Sequence, residues 1–317
     1  MRIGILTSGG DCSGLNAVIR AAGISIFNNI KGAQLVGIPD GYGGLIRGEG
    51  QLLHRDDILG ILSRGGTMLG SSRQPFKQME TVGDDGESKL AKMVRNYKAM
   101  NLDCLIALGG AGTHKNAALL QREGCNVIGV PKTIDNDIYG TDVTFGFQTA
   151  VEVACDCIDR IRTTAESHSR VMLVEVMGNK AGWLALHAGI AAGADAILIP
   201  EIPFSEDKLC DFVASKKSLG KRCVIVVVAE GAHVKSDAGL KRKKRAFVRT
   251  ELNEVTVTPH LAEYIEEKTG YAARTSVLGY VQRGGTPCAY DRLLCTRLGE
   301  AAADFAAEGR FGVTIAV

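Results

Sequence analysis

The stretch MRIGILTSGGDCSGLNAVIRAAGISIF, residues 1–27, determines the fold class of this chain. Residues Arg2–Thr7 form a mostly apolar run of strand length, and Leu15–Phe27 carries apolar residues at helical spacing. A glycine-rich turn, TSGGD at Thr7–Asp11, joins the two. A buried strand that leads through such a turn into a helix is typical of a parallel sheet covered by helices. The start of the sequence therefore predicts an α/β fold.

The same alternation continues along almost the whole chain. The predicted strands are Arg2–Thr7, Gln34–Ile38, Cys104–Leu108, Asn126–Val130, Val171–Val176, Ala196–Ile199, Cys223–Ala229, Ser276–Leu278 and Val313–Val317. The predicted helices are Leu15–Phe27, Lys89–Met100, Lys115–Arg122, Gln148–Glu166, Leu209–Leu219, Leu261–Lys268 and Asp291–Ala307. A break near Asp137–Gly146 separates two stretches of similar texture. We therefore predict two similar doubly wound, Rossmann-like domains with the active site in the cleft between them.

Composition excludes several classes of function. The chain has 317 residues, and its 37 Lys and Arg against 35 Asp and Glu give a net charge of +2. This balance argues against a nucleic-acid binder, which carries a clear basic excess. No apolar stretch reaches the ~18 residues that a membrane span needs. The one dense charge run, Lys241–Arg245, is interpreted as solvated surface. We expect neither nucleic acid nor membrane as a partner.

The nine cysteines indicate a reducing, cytoplasmic compartment. Their number is odd and no C-x-x-C pair occurs, so neither a disulfide framework nor a zinc site is indicated. Cys104, Cys223 and Cys295 lie in apolar or helical runs and are predicted to be buried small side chains. The six histidines show no H-x-x-x-H pair. Spacing alone therefore predicts no Cys/His metal site.

Two glycine-rich loops are candidate phosphate sites. TSGGD follows the first strand, and GGAGT at Gly109–Thr113 follows another, with Thr113 placed to cap the next helix. Paired glycines let backbone N–H groups approach an anion, and the helix N-terminus favours negative charge. Arg64–Thr67 and Arg283–Thr286 both read RGGT and add arginines, which bind phosphate through two parallel hydrogen bonds. Together these motifs indicate a phosphorylated or nucleotide ligand.

A third motif, PKTIDND at Pro131–Asp137, follows the predicted strand Asn126–Val130. Its two aspartates lie two residues apart in an irregular loop. One can accept the proton of an attacking hydroxyl while the other holds a metal ion, as phosphoryl transfer requires. A turn rich in Asp and Asn is the alternative interpretation. The two upstream loops favour the catalytic one.

Seven strings occur in a fixed order: TSGGDCSGLNAVIR, RGGTMLGSSR, GGAGT, PKTIDND, GTDVTFGFQTA, SHSRVMLVEVMG and LGYVQRGGTPCAYDR. Together they resemble the 6-phosphofructokinase family across essentially all 317 residues. The bacterial branch with PKTIDND and TAESH, which includes users of ATP and users of pyrophosphate, is the most similar. The resemblance implies transfer of a phosphoryl group to the 1-hydroxyl of fructose 6-phosphate, giving fructose 1,6-bisphosphate.

Roles follow by matching position. The resemblance implies that Asp135 is the proton acceptor, that Arg170 and Arg274 hold the 6-phosphate, typically from a neighbouring subunit, and that Glu230 bonds sugar hydroxyls. The implied donor site is Gly10, Arg73, Gly110, Ala111, Gly112, Thr113 and Lys132. The implied sugar-phosphate site is Thr133, Asp135, Arg170, Met177, Gly178, Asn179, Glu230, Arg274, Tyr280 and Arg283.

The resemblance also implies a cofactor, a domain division and an assembly. The cofactor is Mg²⁺, with Asp137 as its candidate ligand. Residues 1–146 plus about 283–309 would form the phosphoryl-donor domain, and 147–282 plus 310–317 the sugar-phosphate domain. We expect a homo-oligomer, a dimer or tetramer with shared active sites. The predicted strand Val313–Val317 stops abruptly, so we expect a truncated C-terminus.

Several positions depart from the family pattern. Ala111 stands where the family usually has the aspartate that serves Mg²⁺, so metal placement is expected to depend on Asp137 or on substrate phosphates. Asn179 replaces an arginine of many relatives and removes a positive charge. Tyr280 replaces a histidine of the sugar pocket, and Ser13 a proline of the first loop. Either this branch binds its metal differently, or the aspartate was replaced deliberately, or catalysis is impaired.

Two positions bear on the phosphoryl donor. Pyrophosphate users usually carry at position 112 an aspartate that crowds the nucleotide α-phosphate, and Gly112 leaves that space open. Lys132 stands where pyrophosphate enzymes have lysine, although some ATP users carry it as well. A steric block outweighs one flexible lysine, so the sequence favours ATP.

Three alternatives remain at this point. The chain could be a pyrophosphate-dependent phosphofructokinase. It could be another kinase with a GG-x-GT loop, such as an NAD or lipid kinase, although PKTIDND and QRGGTP are not expected there. It could also be a non-catalytic sugar-phosphate or nucleotide binder, which Ala111 and Asn179 suggest and the intact Asp135 and Asp137 oppose.

Overall fold

A computed structural model describes residues 1–239 and 257–317. The predicted surface run Lys241–Arg245 lies outside the described residues. The chain divides into two compact units, the first made of Met1–Thr149 and Arg283–Val317, the second of Ala150–Gln282. Across the described residues, no helix has both the length and the apolar character that a membrane span requires.

The first unit is built on a six-stranded sheet in the order β10-β5-β4-β1-β2-β3. Its pairings are parallel except for that of β2 with β3. The strands are β1 Arg2–Ser8, β2 Gln34–Ile38, β3 Gln51–Leu53, β4 Cys104–Gly109, β5 Val127–Pro131 and β10 Val313–Thr314. Every residue of β4 and β5 is buried, as a strand covered on both faces requires.

Helices cover this sheet, and the hydrophobic core of the first unit lies between the sheet and the helices. They are α1 Leu15–Asn29, α2 Tyr42–Arg47, α3 Arg55–Leu59, α4 Lys89–Ala99, α5 Ala111–Arg122 and α10 Ala289–Ala307. Helices α1 and α10 pack closely at Gly299, where a Cβ would lie 2.7 Å from the Ala21 Cβ and 2.7 Å from the Val18 carbonyl oxygen. Glycine at 299 therefore sets the distance between these two helices.

The second unit has a parallel four-stranded sheet in the order β7-β8-β6-β9. Its strands are β6 Val171–Val176, β7 Ala196–Leu198, β8 Val224–Ala229 and β9 Ala273–Val277. Its helices are α7 Trp183–Ala191, α8 Glu206–Ser218 and α9 Val257–Thr269, and α6, Phe147–Ser167, leads into the unit. All residues of β6 and β8 are buried, so the core lies around these central strands.

The predicted α/β architecture with parallel sheets is confirmed, and Cys104, Cys223 and Cys295 are buried as expected. Burial raises the pKa of the Cys104 thiol to about 12. The sequence missed α7, whose residues are apolar except for His187 and so show no amphipathic period. It also missed the short helices α2 and α3 and the three-residue edge strand β3.

One part of the predicted domain division is wrong. From the sequence, residues 310–317 are predicted to lie with 147–282, but they belong to the first unit. The reason is a strand pairing, because β10 adds to the edge of β5 with Val313 opposite Ile128. The hydroxyl of Thr314 also lies 3.2 Å from His114 Nδ1, on α5.

The contact at Gly299 yields a test of this packing. In a helix interior, alanine normally stabilises relative to glycine by roughly 0.5–1 kcal/mol. Here the added methyl would clash with α1, so we expect Gly299→Ala to lower the free energy of unfolding by about 1–3 kcal/mol. Gly60→Ala is the matched control, since a Cβ there meets nothing within 4 Å. Urea denaturation that showed equal losses for both variants would contradict the packing argument.

Candidate active site

Three sequence motifs meet at one edge of the first sheet. Strands β5, β4 and β1 are adjacent and parallel, so their carboxyl ends lie side by side. TSGGD begins in the last two residues of β1 and continues into the loop after it. GGAGT runs from the last residue of β4 into the first turn of α5, and PKTIDND begins in the last residue of β5. In open parallel sheets, ligands bind at this edge of the strands.

The first loop is fixed by the segment 64–73, which carries RGGTMLGSSR. Gly9 has φ 91°, a left-handed conformation that suits glycine, and its N–H donates to the Ser72 carbonyl at 3.1 Å. The Ser71 hydroxyl donates to the Gly9 carbonyl at 2.6 Å. From α1, Asn16 accepts the Met68 N–H at 2.7 Å and donates to the Arg64 carbonyl at 3.0 Å. These hydrogen bonds fix the position of the TSGGD loop and the start of α1 relative to residues 64–73.

The two RGGT motifs touch each other through their backbones. A Cβ on Gly65 would lie 2.2 Å from the Gly285 carbonyl oxygen, so no side chain fits there. Ser13 donates its hydroxyl to the Gly285 carbonyl at 2.8 Å. The repeat noticed in the sequence therefore brings Arg64 and Arg283 to the same region of the first unit.

A cavity of about 460 Å³ opens beside these loops. Its walls combine two guanidiniums, backbone N–H groups and small hydroxyl side chains, and they comprise Gly9, Gly10, Asp11, Thr67, Ser71, Ser72, Arg73 and Arg283. A Cβ on Gly10 would lie 3.0 Å from Arg283 Nη1, so glycine lets the guanidinium approach the loop. Arginines and backbone N–H groups in a small polar cavity suit an anion such as phosphate.

The second loop leads directly into α5. The helix begins at Ala111 with Gly110 as its N-cap, so the prediction that Thr113 caps it is wrong. Thr113 lies within the first turn, buried, with its hydroxyl donating to the Ser8 carbonyl at 3.3 Å. Ala111 and Gly112 are exposed in that turn, and a Cβ on Gly112 would meet nothing within 4 Å. The first N–H groups of a helix lack intrahelical partners and attract anions.

Lys132 ties the third motif to the first loop. It is 5% exposed, and its Nζ donates a hydrogen bond to the Gly10 carbonyl. Burial lowers the pKa of Lys132, while the nearby Asp135 and Asp11 partly oppose that shift. A cation is thereby placed next to the cavity that Gly10 lines.

Asp135 follows Lys132 in an ordered turn. Its N–H donates to the Thr133 hydroxyl at 3.1 Å, and Thr133 is itself buried. Asp137, the candidate metal ligand, is exposed. Nowhere in residues 1–239 and 257–317 do three or more His, Cys, Asp or Glu side chains come together as a metal site.

The second unit gathers another set of predicted residues at the carboxyl edge of its own sheet. Met177–Asn179 follows β6, Glu230 follows β8, and Tyr280 lies just after β9. The Glu230 carboxylate accepts the Asn179 N–H at 2.7 Å. Gly178 and Asn179 both have positive φ, 139° and 53°, which gives the turn its tight shape. This edge presents a carboxylate, a phenol and a strained turn together.

Arg170 and Arg274 lie at the opposite edge of that sheet. Arg170 directly precedes β6, and Arg274 is the second residue of β9, opposite Met172. Arg274 Nη1 also bonds Glu266 Oε1 at 2.6 Å. The length of β6 separates these arginines from Met177–Asn179, since a strand rises about 3.3 Å per residue. The structure does not bring the two arginines to the carboxyl edge of their own unit.

Comparison with known proteins decides the family. The phosphofructokinase family profile matches residues 2–306. The chain belongs to the phosphofructokinase family. It is 51% identical over 317 residues, 99% of this chain and 86% of the relative, to a protein of Spirochaeta thermophila named ATP-dependent 6-phosphofructokinase. It is 48% identical over 320 residues, 100% of this chain and 90% of the relative, to a pyrophosphate–fructose 6-phosphate 1-phosphotransferase of Amycolatopsis methanolica.

A solved structure agrees with this assignment. Phosphofructokinase from Saccharomyces cerevisiae superposes with a TM-score of 0.83 at 33% identity. The match covers 97% of this chain and 42% of the yeast chain, so this chain spans less than half of the yeast chain's length.

Sequence reasoning gave no role to several residues of this family member that the structure brings into the site. Asp11, Thr67, Ser71 and Ser72 line the cavity, and all four stand inside motifs already quoted, so their motif membership was the available signal. Gln282 is 1% exposed, accepts the Met177 N–H at 3.3 Å and donates to the Gly279 carbonyl at 3.0 Å. Nothing in its local sequence marks that bracing role.

Proposed function

We propose that this chain is an ATP-dependent 6-phosphofructokinase, which transfers the γ-phosphoryl group of ATP to the 1-hydroxyl of fructose 6-phosphate. One observation carries the proposal: three phosphotransfer motifs lie at the carboxyl ends of the adjacent strands β1, β4 and β5. Family membership and the names of the relatives support it. Because both substrates are metabolites of the cytoplasm, we also place the reaction there.

The first unit is assigned the phosphoryl donor. Gly10, Arg73, Lys132 and the loop Gly110–Thr113 carry this role, with the cavity beside Gly10 as the place of the donor phosphates. The first turn of α5 and the arginine forks stabilise negative charge on phosphate oxygens. Such charge stabilisation is the main requirement of phosphoryl transfer, in which little covalent work falls to the protein.

Asp135 is assigned the role of catalytic base. In the proposed step it accepts the proton of the sugar 1-hydroxyl, whose oxygen bonds to the γ-phosphorus while the bond from that phosphorus to the β–γ bridging oxygen breaks. Fructose 1,6-bisphosphate and ADP are the products. Thr133 and Arg283 are placed with the substrate, as the family match implies.

The second unit is assigned the sugar phosphate. Met177–Asn179, Glu230 and Tyr280 supply hydrogen-bonding groups at one edge of its sheet. Arg170 and Arg274 lie at the other edge, so we propose that they hold the 6-phosphate bound to a neighbouring subunit. The working enzyme would then be a homo-oligomer with shared sites, a dimer or tetramer.

The reaction requires a divalent metal, for which we propose Mg²⁺. Mg²⁺ usually binds proteins through one or two carboxylates and completes its shell with water and substrate phosphates. Asp11 in the cavity wall and the exposed Asp137 provide such carboxylates, so the donor set fits a metal that arrives with the phosphates. When bound, the metal neutralises charge on the transferred group.

Specific observations favour each of two alternative functions. Pyrophosphate as donor is favoured by Lys132 and by the relative from Amycolatopsis methanolica. Against it stands Gly112, where a Cβ meets nothing within 4 Å and the space is open for a nucleotide. A non-catalytic sugar-phosphate binder is favoured by Ala111 and Asn179. Ordered placement of Asp135 beside Thr133 speaks for catalysis.

The proposed base yields the direct test. Asp135→Asn keeps the shape of the side chain but cannot accept the proton, so we expect kcat to fall by about 10²–10⁴-fold. The dissociation constant for fructose 6-phosphate, measured by thermal shift, should change by less than about threefold, because the shape of the side chain is kept. This corresponds to a change in binding free energy below about 1 kcal/mol. Turnover of wild type and variant is measured as fructose 1,6-bisphosphate formed. Equal turnover would remove Asp135 from the proposed role, and an inactive wild type would refute the kinase.

Position 111 tests metal placement. Ala111 is exposed in the first turn of α5, where an aspartate is accommodated and also favoured by the helix dipole. We expect Ala111→Asp to lower the Mg²⁺ concentration at half-maximal rate by about tenfold, the value of one added carboxylate contact of ~1.4 kcal/mol. Ala111→Asn is the control of similar shape without charge. Superimposable Mg²⁺ titrations of the two variants would place the metal elsewhere.

Shared sites predict complementation between inactive variants. Asp135→Asn and Arg170→Ser would each be inactive alone. In a hybrid, one site would take Asp135 from one subunit and Arg170 from the other, so co-expressed, doubly tagged hybrids should recover up to about half of wild-type activity. Activity no higher than that of either parent would assign Arg170 to its own subunit or to another role.

A further inference from the structure

Asp135 belongs to a loop that returns to the core at Thr144. Thr144 is fully buried, and its neighbour Phe145, also fully buried, forms a bridge with Lys132 parallel to it. The carbonyl of Phe145 accepts the Cys12 thiol at 3.7 Å. The buried Thr144 therefore anchors the end of this loop in the first unit. The exposed residues of the loop, Asp137, Tyr139, Gly140 and Asp142, lie before it in the chain.

Thr144 bonds both sides of the proposed base. Its hydroxyl lies 2.7 Å from the Thr133 carbonyl oxygen, to which it donates, and 3.2 Å from Asn136 Oδ1. Its N–H donates to Asn136 Oδ1 at 2.8 Å. Thr133 in turn accepts the Asp135 N–H at 3.1 Å. Thr133, two residues before this aspartate, and Asn136, the residue after it, are thus both held by one buried threonine.

Asn136 is suited to this position by its backbone as well as its side chain. It has φ 50°, in the left-handed region that asparagine tolerates better than most residues. Its Nδ2 donates to the Asp142 carbonyl at 3.3 Å, across the loop. With Oδ1 on Thr144 and Nδ2 on Asp142, the amide closes the loop from the inside. An aspartate here could accept but not donate, and would add charge beside the base.

We propose that Asn136 and Thr144 form a clamp that positions Asp135, and that neither residue needs to touch the substrate. This inference rests on the proposed function of Asp135. A misplacement of a catalytic group by about 1 Å can cost roughly 10²-fold in rate. Loss of the clamp therefore lowers kcat while the sugar-phosphate contacts of the second unit, and with them KM, are retained.

The clamp is tested by paired substitutions in the full chain. Asn136→Gly keeps the left-handed backbone open but removes the amide, and Thr144→Val keeps the shape but removes the hydroxyl. We expect each to lower kcat by about 10–100-fold and to change the KM for fructose 6-phosphate by less than about threefold. Thr144→Ser retains the hydroxyl, so it should recover kcat to within about threefold of wild type.

The controls separate positioning from folding and from the proposed function. Thr144→Ser and Thr144→Val both alter a buried side chain, so similar thermal stabilities with different kcat values assign the loss to the hydroxyl. Thr141→Val is the matched control, because its hydroxyl bonds the Val143 carbonyl at 3.0 Å outside the clamp. An active wild type with unaltered kcat in Asn136→Gly and Thr144→Val would overturn the clamp alone. A wild type without turnover would overturn the proposed function and this role with it.

Discussion

Parallel pairing of β1 with β4 and of β4 with β5 is the interaction on which the candidate site depends. It places the ends of three buried strands side by side, and each strand passes directly into a glycine-rich or Asp-rich loop. Buried strands cannot slip by one residue without turning apolar side chains toward the wrong face. The register of the sheet therefore fixes the relative positions of Gly10, Ala111 and Asp135 before any ligand is present.

Close backbone contacts then shape the loops. Gly65 lies against Gly285, and Gly10 admits the Arg283 guanidinium. Lys132 bonds the Gly10 carbonyl, so the third motif is linked to the first across β4. The second unit repeats the same logic at its own sheet, where Glu230 holds the turn at Asn179. In both units several of the predicted site residues follow strand ends, whereas Arg170 and Arg274 lie at the start of their strands. Hydrogen bonds to the backbone fix the loops at the strand ends.

Much of this was predictable from the sequence, for identifiable reasons. Local patterns located β1 and its TSGGD turn, because the apolar run and the paired glycines occur within ten residues of each other. Thr113 was assigned wrongly as a cap because Gly110 and Gly112 are poor helix formers, yet the helix begins at Ala111. The sequence could not predict the non-local contacts, because no local pattern encodes them. Examples are the pairing of β10 with β5 and the hydrogen bond from the Thr144 hydroxyl to the Thr133 carbonyl. Helix α7 was not predicted because it lacks the polar face by which an amphipathic helix is recognised in a sequence.

We propose that these loops hold ATP and that the enzyme transfers its γ-phosphoryl group to fructose 6-phosphate. The most direct measurement is ³¹P NMR of the wild-type chain with fructose 6-phosphate and Mg²⁺, with ATP in one sample and pyrophosphate in another. We expect a new sugar 1-phosphate resonance together with ADP in the ATP sample, and a much slower reaction with pyrophosphate. If product forms only in the pyrophosphate sample, ATP is not the donor. If no product forms in either sample, the proposed kinase activity is contradicted.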